Sequence, residues 1–441
     1  MLRGDYLGIE VGVSIEFWGA SNLGRMSMST ETNNQFVADV VASRKQGYSL
    51  PGAFYSDERI YRAEIERIWR KGWLFAGHSC EVPNPGDYFT LNVDGDSLIV
   101  VRGDEGEINA LWNVCRHRGT ELCDEGAGRF GRIVCPYHQW TYGRDGALLS
   151  CRGMQEELDK SRLGLMSAHV RVTAGLVFVS LAQEPPSFEE ADKLICAVGQ
   201  SQGLERAKVA KTVDYEVAAN WKLVWENNRE CYHCNVNHPQ YTKANFDHFN
   251  TDDINPSVEA KINAAVARSE EKWSAAGLAV SHRQSGMALF PDAQRNCWFS
   301  ANRTPLAEGF LSETIDGKQV APLMGDYTDP DVGTFRVRTM PNLWNHSSCD
   351  HGVSTRLLPA GLKRTLVRVT WLVDSEAVEG KDYRLEDIMP FWQLTSEQDW
   401  ALCERAQRGV ESSRYVPGPL STHKEYNVDG FLRWCLFQLS E

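Results

Sequence analysis

The sequence predicts an α+β protein in which a small all-β domain precedes a larger domain of mixed helices and strands. In residues 73–179, short apolar runs alternate with turn residues about every 8–12 positions, a pattern typical of a small all-β domain. After the Gln-Glu-Pro-Pro segment at 183–186, helical patterns alternate with strand-like runs to residue 441. The length of 441 residues also suits two or three domains of roughly 100–200 residues each.

Turn residues locate the hairpins of the β-rich region. The Asp-Gly-Asp sequence at 94–96 lies between apolar runs at 88–93 and 98–102, which is a strong hairpin signal. The glycine-rich stretch at 103–106 predicts the next turn, and the Asp-Gly pair at 145–146 predicts another hairpin. We therefore expect short strands joined by tight turns throughout this region.

Apolar periodicity predicts the elements outside the β-rich region. Tyr61, Ile65 and Ile68 recur at spacings of three and four, which gives a helix at about 57–71 one apolar face. The remaining predicted elements are a strand at 212–217, a helix from about Asn220, a buried strand at 365–373 and a long helix at 386–410 that bends or restarts near Pro390.

These patterns divide the chain into four segments. Residues 1–45 are polar and rich in Ser, Thr and Asn, so we expect a poorly ordered extension; Met26 and Met28 within it suggest that a start codon was chosen too far upstream. Residues 46–74 contain a helix expected to pack on the larger domain. Residues 75–184 form the all-β domain, and residues 187–441 form the larger domain.

Composition excludes several classes of protein. Apolar residues make up 42% of the chain and charged residues 24%, values typical of an ordinary globular protein. The net charge of −13 argues against a nucleic-acid partner, because phosphate binding needs a basic surface. The sequence has no run of 18 apolar residues and no persuasive secretory signal, so the expected location is the cytoplasm.

Two short loops in the β-rich region each offer one thiolate and one imidazole. Cys115 and His117 form a Cys-x-His motif, and after seventeen intervening residues Cys135 and His138 form a Cys-x-x-His motif. A [2Fe–2S] cluster of mixed ligation needs this set, with two Cys on one iron and two His on the other. A structural zinc site is the alternative, although zinc fingers favour Cys pairs followed by His pairs.

A second metal motif begins the larger domain. Glu230 and His233 are three residues apart on the predicted helix and share a face. His238 follows five residues later, directly before Pro239, which disfavours helical geometry at the preceding residue. We therefore expect the helix to loosen there and His238 to turn back towards His233. Two imidazoles and one carboxylate form the facial triad of non-haem Fe(II) oxygenases.

The third ligand of such a triad must come from elsewhere in the chain. Asp399, on the predicted long helix, is the best candidate, and Glu397 is the fallback. Cys231 and Cys234 could instead form half of a zinc site, but the chain has no second Cys-x-x-Cys pair. We expect these two cysteines to point away from the metal.

The two motifs together resemble the oxygenase α component of Rieske non-haem iron oxygenases, over roughly residues 50–441. The resemblance implies a catalytic domain of helix-grip type, in which helices flank a central antiparallel sheet. It also implies a Rieske cluster, a mononuclear Fe(II) and a homotrimer. Glu230 would then bridge His138 of one subunit and His233 of the next, as the route for electrons.

The string from Glu226 to Cys234 is similar to the branch that acts on quaternary ammonium compounds, which includes glycine betaine monooxygenase, stachydrine demethylase and carnitine monooxygenase. That branch implies use of O₂ to hydroxylate an N-methyl group of a small cationic substrate, with release of formaldehyde. In the second Rieske loop, Gln139 stands where the family usually has Gly, and we expect little effect on ligation.

Aromatic faces hold a quaternary ammonium cation by cation–π attraction. Trp344 is the first candidate for such a face, and Trp298, Phe299 and Tyr232 are weaker ones. The chain has no flavin or nicotinamide fingerprint, so electrons from NAD(P)H must arrive through a separate flavin and iron–sulfur reductase. Two alternatives stay open: the α subunit of an aromatic ring-hydroxylating oxygenase, and a Rieske electron carrier without a second iron.

Overall fold

A computed structural model describes residues 21–246, 256–279 and 298–441 of the chain. The helices lie at Ser21–Ala42 (α1), Ala53–Ser56 (α2), Glu58–Glu64 (α3), Glu189–Gly199 (α4), Trp221–Asn228 (α5), Cys234–Asn237 (α6), Pro239–Ala244 (α7), Pro256–Ala275 (α8), Leu385–Ile388 (α9), Pro390–Val410 (α10) and Tyr426–Ser440 (α11). The strands lie at Leu74–His78 (β1), Asp87–Val93 (β2), Asp96–Arg102 (β3), Ile108–Trp112 (β4), Ala127–Arg129 (β5), Ile133–Val134 (β6), Thr141–Tyr142 (β7), Leu148–Ser150 (β8), Ser167–Thr173 (β9), Leu176–Ser180 (β10), Ala207–Val217 (β11), Phe299–Thr304 (β12), Thr334–Thr339 (β13), Leu343–Ser347 (β14), Gly352–Pro359 (β15) and Thr365–Asp374 (β16).

The first ten strands form the β-rich part of the fold. Seven of them make one sheet in the order β1-β10-β9-β4-β3-β2-β5, and β6, β7 and β8 make a second, smaller sheet. The hairpin predicted at 94–96 joins β2 to β3, with positive φ at both Asp94 and Gly95, as a tight two-residue turn requires. The hairpin predicted at 145–146 joins β7 to β8. The prediction of a small all-β region is therefore confirmed.

The remaining six strands form one antiparallel sheet in the order β11-β16-β15-β14-β13-β12. Trp344 of β14 contacts Trp225 of α5 and Trp400 of α10, so these two helices cover one face of the sheet. Gly199 of α4 packs against the side chain of Phe335 of β13. Side chains alternate between the two faces of a sheet along each strand, and that of Phe335 points to the face opposite Trp344. A central antiparallel sheet flanked by helices was the expected architecture, and it is confirmed.

Local signals correctly placed the start of α5 and the break before α10. The side chain of Asn220 caps the start of α5 by accepting a hydrogen bond from the amide of Lys222. The predicted break near Pro390 separates the short α9 from α10. The helix expected at 57–71 is present as α3, which continues through a π-helical turn at Ile65–Trp69.

The expectation of a poorly ordered extension at 1–45 is wrong for residues 21–42, which form α1; residues 1–20 lie outside the described part of the chain. Val37, Val40 and Val41 lie on one apolar face of this helix, and Val37 is buried in the core. Arg67 also donates a hydrogen bond to Asn34 of α1. The spacing of these valines is the helical signal in this segment, and the polar composition around them obscured it.

Residues 181–188 contain no helix or strand, and a linker was predicted there; a domain boundary at this point stays a prediction. Among the described residues, no helix combines the length and the apolar character needed to cross a bilayer.

Candidate iron–sulfur and iron centres

The two predicted cluster loops have the same backbone design. In the first, the amide of Gly119 donates to the carbonyl of Cys115 at 3.0 Å; in the second, the amide of Gln139 donates to the carbonyl of Cys135 at 3.0 Å. Gly119 has a φ of +74° and Gln139 a φ of +60°, so the fifth residue of each loop is left-handed. The Gln found in place of the usual Gly therefore adopts the backbone conformation that favours glycine.

These loops bring the four predicted ligands together. Cys115 and Cys135 are buried, and neither thiol is in a disulfide. The imidazole rings of His117 and His138 lie 4.6 Å apart between their centroids. Nδ1 of His117 is buried with no hydrogen-bond partner among the described residues, as expected of a nitrogen reserved for a metal. Two inner thiols and two outer imidazoles fit a Rieske cluster.

Two aromatic residues that the sequence analysis did not identify support this centre. The indole of Trp140 stacks on His117 at 4.9 Å, with the ring planes 7° apart. The hydroxyl of Tyr142 lies 3.3 Å from Sγ of Cys115 and accepts a hydrogen bond from the amide of Arg116 at 3.1 Å. Burial, and then the bond to Cys115, raises the pKa of Tyr142, so the hydroxyl keeps its proton and can donate it to sulfur.

The second centre brings together three donor atoms from distant parts of the chain. Nε2 of His233 lies 3.1 Å from Nε2 of His238, and Oδ1 of Asp399 lies 3.2 Å and 2.8 Å from these two nitrogens. Ligand atoms at about 2.1 Å from one ion, and at right angles to each other, are about 3 Å apart. The observed spacing therefore fits a single ion held on one face by two imidazoles and a carboxylate.

Local structure explains how these side chains converge. His233 precedes the four-residue helix α6, and His238 follows it with φ −127° and ψ 65°, which is outside the helical region. The prediction that Glu230 and His233 share a face of the helix from Asn220 is wrong, because α5 already ends at Asn228 and both residues lie before α6. The predicted departure from helical geometry at His238 is present, and Pro239 then begins α7. Asp399 comes from the middle of α10, about 160 residues later in the chain. Glu397, the fallback ligand, is exposed and accepts a hydrogen bond from Gln393.

A hydrogen-bonded outer layer orients both imidazoles. Oε1 of Glu230 lies 2.5 Å from Nδ1 of His233, and Oε1 of Gln398 lies 2.8 Å from Nδ1 of His238. Gln240 also donates to Gln398 at 3.0 Å. These contacts leave Nε2 of each ring facing the third donor, Asp399. The sequence analysis missed Gln398, although its position next to Asp399 was a usable signal.

Charges around the second centre suit a cation. Burial lowers the pKa of His233, but the hydrogen bonds to Asp399 and Glu230 outweigh it and raise that pKa to about 10. Burial raises the pKa of Asp399, but hydrogen bonds from His233 and His238 hold it below its usual range. Both shifts have the same cause: two imidazoles and two carboxylates are packed around one point, and such a donor set suits a cation.

The expectation that Cys231 and Cys234 point away from the metal is wrong for Cys234. The sulfur of Cys234, one side-chain nitrogen of His233 and one of His238 all lie within 4.8 Å of one another. Cys231 and Cys234 form a disulfide, so this pair offers no thiolate to a metal. The turn between α5 and α6 brings the two sulfurs together, and spacing alone did not reveal this.

A pocket opens from the triad and runs along α10. Trp392, Thr395 and Asp399 recur at spacings of three and four, so they line one face of that helix and one wall of the pocket. Tyr241, Arg338 and His346 also line it.

The four aromatic candidates from the sequence are not among the described lining residues of this pocket. Trp344 is buried against Trp225 and Trp400. Trp298 packs on Phe178 and Phe188, and Phe299 packs on Trp298. Tyr232 is exposed, and the ammonium group of Lys424 lies over its ring. The aromatic rings of the pocket are instead those of Tyr241 and Trp392, which the sequence analysis did not identify.

Comparison with known families agrees with this geometry. Residues 72–165 match the Rieske [2Fe-2S] domain family, and residues 204–441 match the catalytic domain of the ring hydroxylating alpha subunit family. The chain belongs to the Rieske oxygenase alpha-subunit family. As a member it has a Rieske [2Fe–2S] cluster and a mononuclear iron as cofactors, and it depends on a separate reductase for electrons.

Curated relatives of this oxygenase subunit extend over most of its length. It is 40% identical over 400 residues to the glycine betaine monooxygenase oxygenase subunit of Chromohalobacter salexigens, which covers 90% of this chain and 87% of the relative. It is 33% identical over 214 residues to the carnitine monooxygenase oxygenase subunit of Acinetobacter baumannii, covering 47% and 57% of the two chains.

Solved structures share the fold of this oxygenase subunit. The quaternary ammonium Rieske monooxygenase CntA in complex with L-carnitine matches with a TM-score of 0.65 at 22% identity, over 91% of this chain and 98% of the other. Naphthalene 1,2-dioxygenase from Rhodococcus sp. matches with a TM-score of 0.61 at 20% identity, over 93% and 98%. At these identities the likeness concerns the fold alone.

Proposed function

We propose that this oxygenase subunit hydroxylates an N-methyl group of a small quaternary ammonium compound of betaine type, so that the product loses formaldehyde. The observation that carries the proposal is the pocket, in which the aromatic rings of Tyr241 and Trp392 lie beside the triad of His233, His238 and Asp399. Aromatic faces attract a methylated cation, and the triad lies within the same pocket. The 40% identity to a glycine betaine monooxygenase oxygenase subunit supports this substrate class.

The proposed roles of the metal-binding residues follow from their donor atoms. Cys115, Cys135, His117 and His138 would hold the [2Fe–2S] cluster, and the triad would hold Fe(II). When bound, these cofactors supply electron transfer and O₂ activation. Two imidazoles and one carboxylate on one face of a bound ion would leave positions for O₂ and substrate on its other side.

The surrounding protein residues position these donors. Glu230 holds the ring of His233 through Nδ1, and Gln398 does the same for His238, so both rings present Nε2 to the iron. Trp392 and Asp399 lie seven residues apart, about two turns of α10, so both side chains project from the same face of the helix into the pocket. The aromatic rings of Trp392 and Tyr241, which would hold a trimethylammonium group, therefore line the same pocket as the triad.

We also propose a homotrimer in which Glu230 bridges His233 and His138 of the partner subunit. Supporting this, His138 and the neighbouring Tyr137 are exposed, with their rings stacked at 3.8 Å, so this edge of the cluster faces outwards. The electron donor would be a flavin and iron–sulfur reductase that oxidises NAD(P)H. The proposed location is the cytoplasm.

Product analysis tests the proposed reaction. Holoenzyme with a generic reductase and NADH is incubated with glycine betaine, proline betaine, carnitine and choline, and in parallel with naphthalene. Formaldehyde from at least one quaternary amine supports the proposal, whereas diols or phenols from the arene and no formaldehyde would contradict it and favour a ring-hydroxylating enzyme. Asp399→Ala should abolish formaldehyde release and mononuclear iron, while its matched control Glu397→Gln keeps both.

The electron route is tested separately with Glu230→Gln. This change keeps the shape of the side chain but removes its charge, so both metals should stay bound while turnover falls by at least about tenfold. The matched control is Glu425→Gln, a partly buried acid outside the pocket lining. Turnover of Glu230→Gln near that of the wild type would show that the bridge assignment is wrong.

A further inference from the structure

We propose that the disulfide between Cys231 and Cys234 decides which metal the second centre binds. In the disulfide form the site selects iron, and after reduction the sulfur of Cys234 joins His233 and His238 as a ligand of zinc. This inference goes beyond the proposed reaction and does not depend on the substrate. It shares with the proposed function only the assignment of His233 and His238 as metal ligands.

The disulfide closes a four-residue loop that contains the predicted iron ligand His233. Cys231 and Cys234 are buried, and both line the pocket that opens from the triad, which gives small molecules a route to the S–S bond. Disulfides are rare in cytoplasmic proteins, and those found there are usually catalytic or redox-sensing. In a chain proposed to be cytoplasmic, a disulfide around a metal ligand therefore points to a redox role.

The sulfur of Cys234 already lies near the metal position. It is within 4.8 Å of one side-chain nitrogen of His233 and one of His238. With zinc–sulfur bonds of about 2.3 Å and zinc–nitrogen bonds of about 2.1 Å, two donors of a tetrahedral zinc site are about 3.6 Å apart. The sulfur therefore needs to move by only about 1 Å, which rotation about its Cα–Cβ bond supplies once the S–S bond is broken.

Backbone hydrogen bonds hold Cys234 in place independently of the disulfide. The amide of His238 donates to the carbonyl of Cys234 at 2.8 Å, and the amide of Asn237 donates to the carbonyl of His233 at 3.1 Å. At the start of the loop, the amide of His233 donates to Oε2 of Glu230 at 3.3 Å. Reduction should therefore free the side chain of Cys234 while the backbone that carries both imidazoles keeps its position.

The set of donor atoms determines which metal is preferred. Two imidazoles and one carboxylate form the facial triad that suits Fe(II), whereas a thiolate ligand selects zinc. Zinc also binds more tightly than Fe(II) to sites with nitrogen and sulfur donors. Because the thiolate is the form of cysteine that binds metals, the disulfide withholds this soft donor and leaves only the triad of His233, His238 and Asp399.

The proposed switch is a thiol–disulfide exchange. A dithiol reductant supplies two electrons and two protons, so that the S–S bond between Cys231 and Cys234 breaks, two thiols form and the reductant becomes a disulfide. Zinc then binds the sulfur of Cys234, and the thiol proton passes to solvent. The reverse exchange, with a disulfide as the oxidant, removes the sulfur from the site and restores the triad.

X-ray absorption at the zinc edge tests the new ligand directly, because the iron of the cluster does not contribute there. Holoenzyme is reduced with a phosphine, which takes oxygen from water to become a phosphine oxide, and is then desalted. Reduced and untreated samples are exchanged anaerobically with zinc equal in amount to the protein. The reduced protein should show a sulfur shell at about 2.3 Å, and the disulfide form only nitrogen and oxygen ligands at about 2.0–2.2 Å.

Two single substitutions should shift the result in opposite directions. Cys231→Ala leaves Cys234 without its partner, so the sulfur shell should appear without any reductant. Cys234→Ala removes the sulfur, so no shell should appear in either state. The matched control is Cys403→Ala, because Cys403 is a buried cysteine of α10 whose thiol donates to the carbonyl of Leu223 at 3.7 Å. It should behave as the wild type does.

Zinc affinity gives a second readout. Loss of a single partner of a metal ligand typically changes metal affinity by about 10–100-fold, so a directly bound sulfur should strengthen zinc binding at least about tenfold. Competition with a chelator measures this in the reduced and the disulfide forms of the wild type. Equal affinities in the two forms would contradict the proposal.

The remaining outcomes separate this inference from the proposed function. A sulfur shell missing from both the reduced wild type and Cys231→Ala would overturn the inference, and so would a shell that persists in Cys234→Ala. None of these measurements involves a substrate. A protein that shows the switch but demethylates no quaternary ammonium compound would contradict the proposed function alone.

Discussion

Nδ1 of His238 lies 2.8 Å from Oε1 of Gln398, the residue directly before Asp399 on α10. Two neighbouring residues of one helix therefore contact opposite nitrogens of the same imidazole: Gln398 at Nδ1 and Asp399 at Nε2. Because the Gln398 carbonyl accepts from Nδ1, the ring keeps its proton there and leaves Nε2 for a metal. Residues of α10 therefore determine which ring nitrogen of His238 carries the proton.

Replacement of Gln398 should weaken the mononuclear iron site. Gln398→Leu removes the acceptor for Nδ1 of His238, and we expect iron affinity at that site to fall by about 10–100-fold. The measurement is iron content after graded chelation, with the absorption of the Rieske cluster as an internal reference. The matched control is Gln393→Leu on the exposed side of α10. Equal iron retention in the two variants would contradict the proposed role of Gln398.

Tyr142 should raise the reduction potential of the cluster. Its hydroxyl lies 3.3 Å from Sγ of Cys115, and a hydrogen bond to a cluster sulfur stabilises the reduced, more negative state. Tyr142→Phe should therefore lower the potential measured by spectroelectrochemistry without loss of the cluster. Tyr88→Phe, a change of another buried tyrosine of the same region, is the control. An unchanged reduction potential in Tyr142→Phe would contradict the proposed role of Tyr142.

Gln139 should make the folded protein less stable than glycine would at the same position. Its φ of +60° is unfavourable for a residue with a side chain, and the equivalent position of the first loop holds Gly119. Gln139→Gly should raise the free energy of unfolding by about 0.5–1 kcal/mol, and Gly119→Ala should lower it. Chemical unfolding followed by the visible absorption of the cluster measures both. A destabilised Gln139→Gly would mean that the Gln side chain makes a compensating contact.

The pH dependence of stability should report on Glu226. Burial raises its pKa to about 7, although the hydrogen bond from Tyr55 at 2.8 Å and the charges of Lys222 and Arg44 oppose the shift; Glu425 adds to it. Between about pH 4.5 and 7 the folded protein thus holds a proton that the unfolded chain releases. Stability from this group is present at low pH and is lost as the pH rises through that window.

Glu226→Gln removes this titration. The free energy of unfolding of the wild type, relative to the variant, should therefore be higher at pH 5 than at pH 8. Urea unfolding at the two pH values measures it, with Glu58→Gln as a matched change of an exposed acid on α3. A constant difference between wild type and Glu226→Gln across this range would argue that Glu226 is ionised throughout.

Local sequence signals were sufficient for the parts of the protein that depend on nearby residues. The predicted ligands of each Rieske loop lie within four residues of each other, so spacing alone was enough to propose Cys115, His117, Cys135 and His138. Turn chemistry located the hairpins for the same reason. The start of a helix near Asn220 and the non-helical backbone of His238 before Pro239 were likewise readable, because both effects act over a few residues.

Contacts between distant segments decided the rest. Gln398 and Tyr142 meet their partners only when a strand or helix packs against another segment, and no local pattern encodes that contact. Trp344 shows the limit most clearly: its type suited a cation, yet the packing of α5 and α10 buries it against Trp225 and Trp400.

The sequence by itself therefore determined the family, the two metal motifs and most element positions, since these follow from spacing and local backbone preferences. The tertiary structure decided how Asp399 joins two histidines about 160 residues earlier, and which residues line the pocket beside them. The physical reason is that pocket walls form where a sheet and two helices pack face to face. Side-chain direction in such a place depends on strand register and helix rotation, which are settled by the whole core.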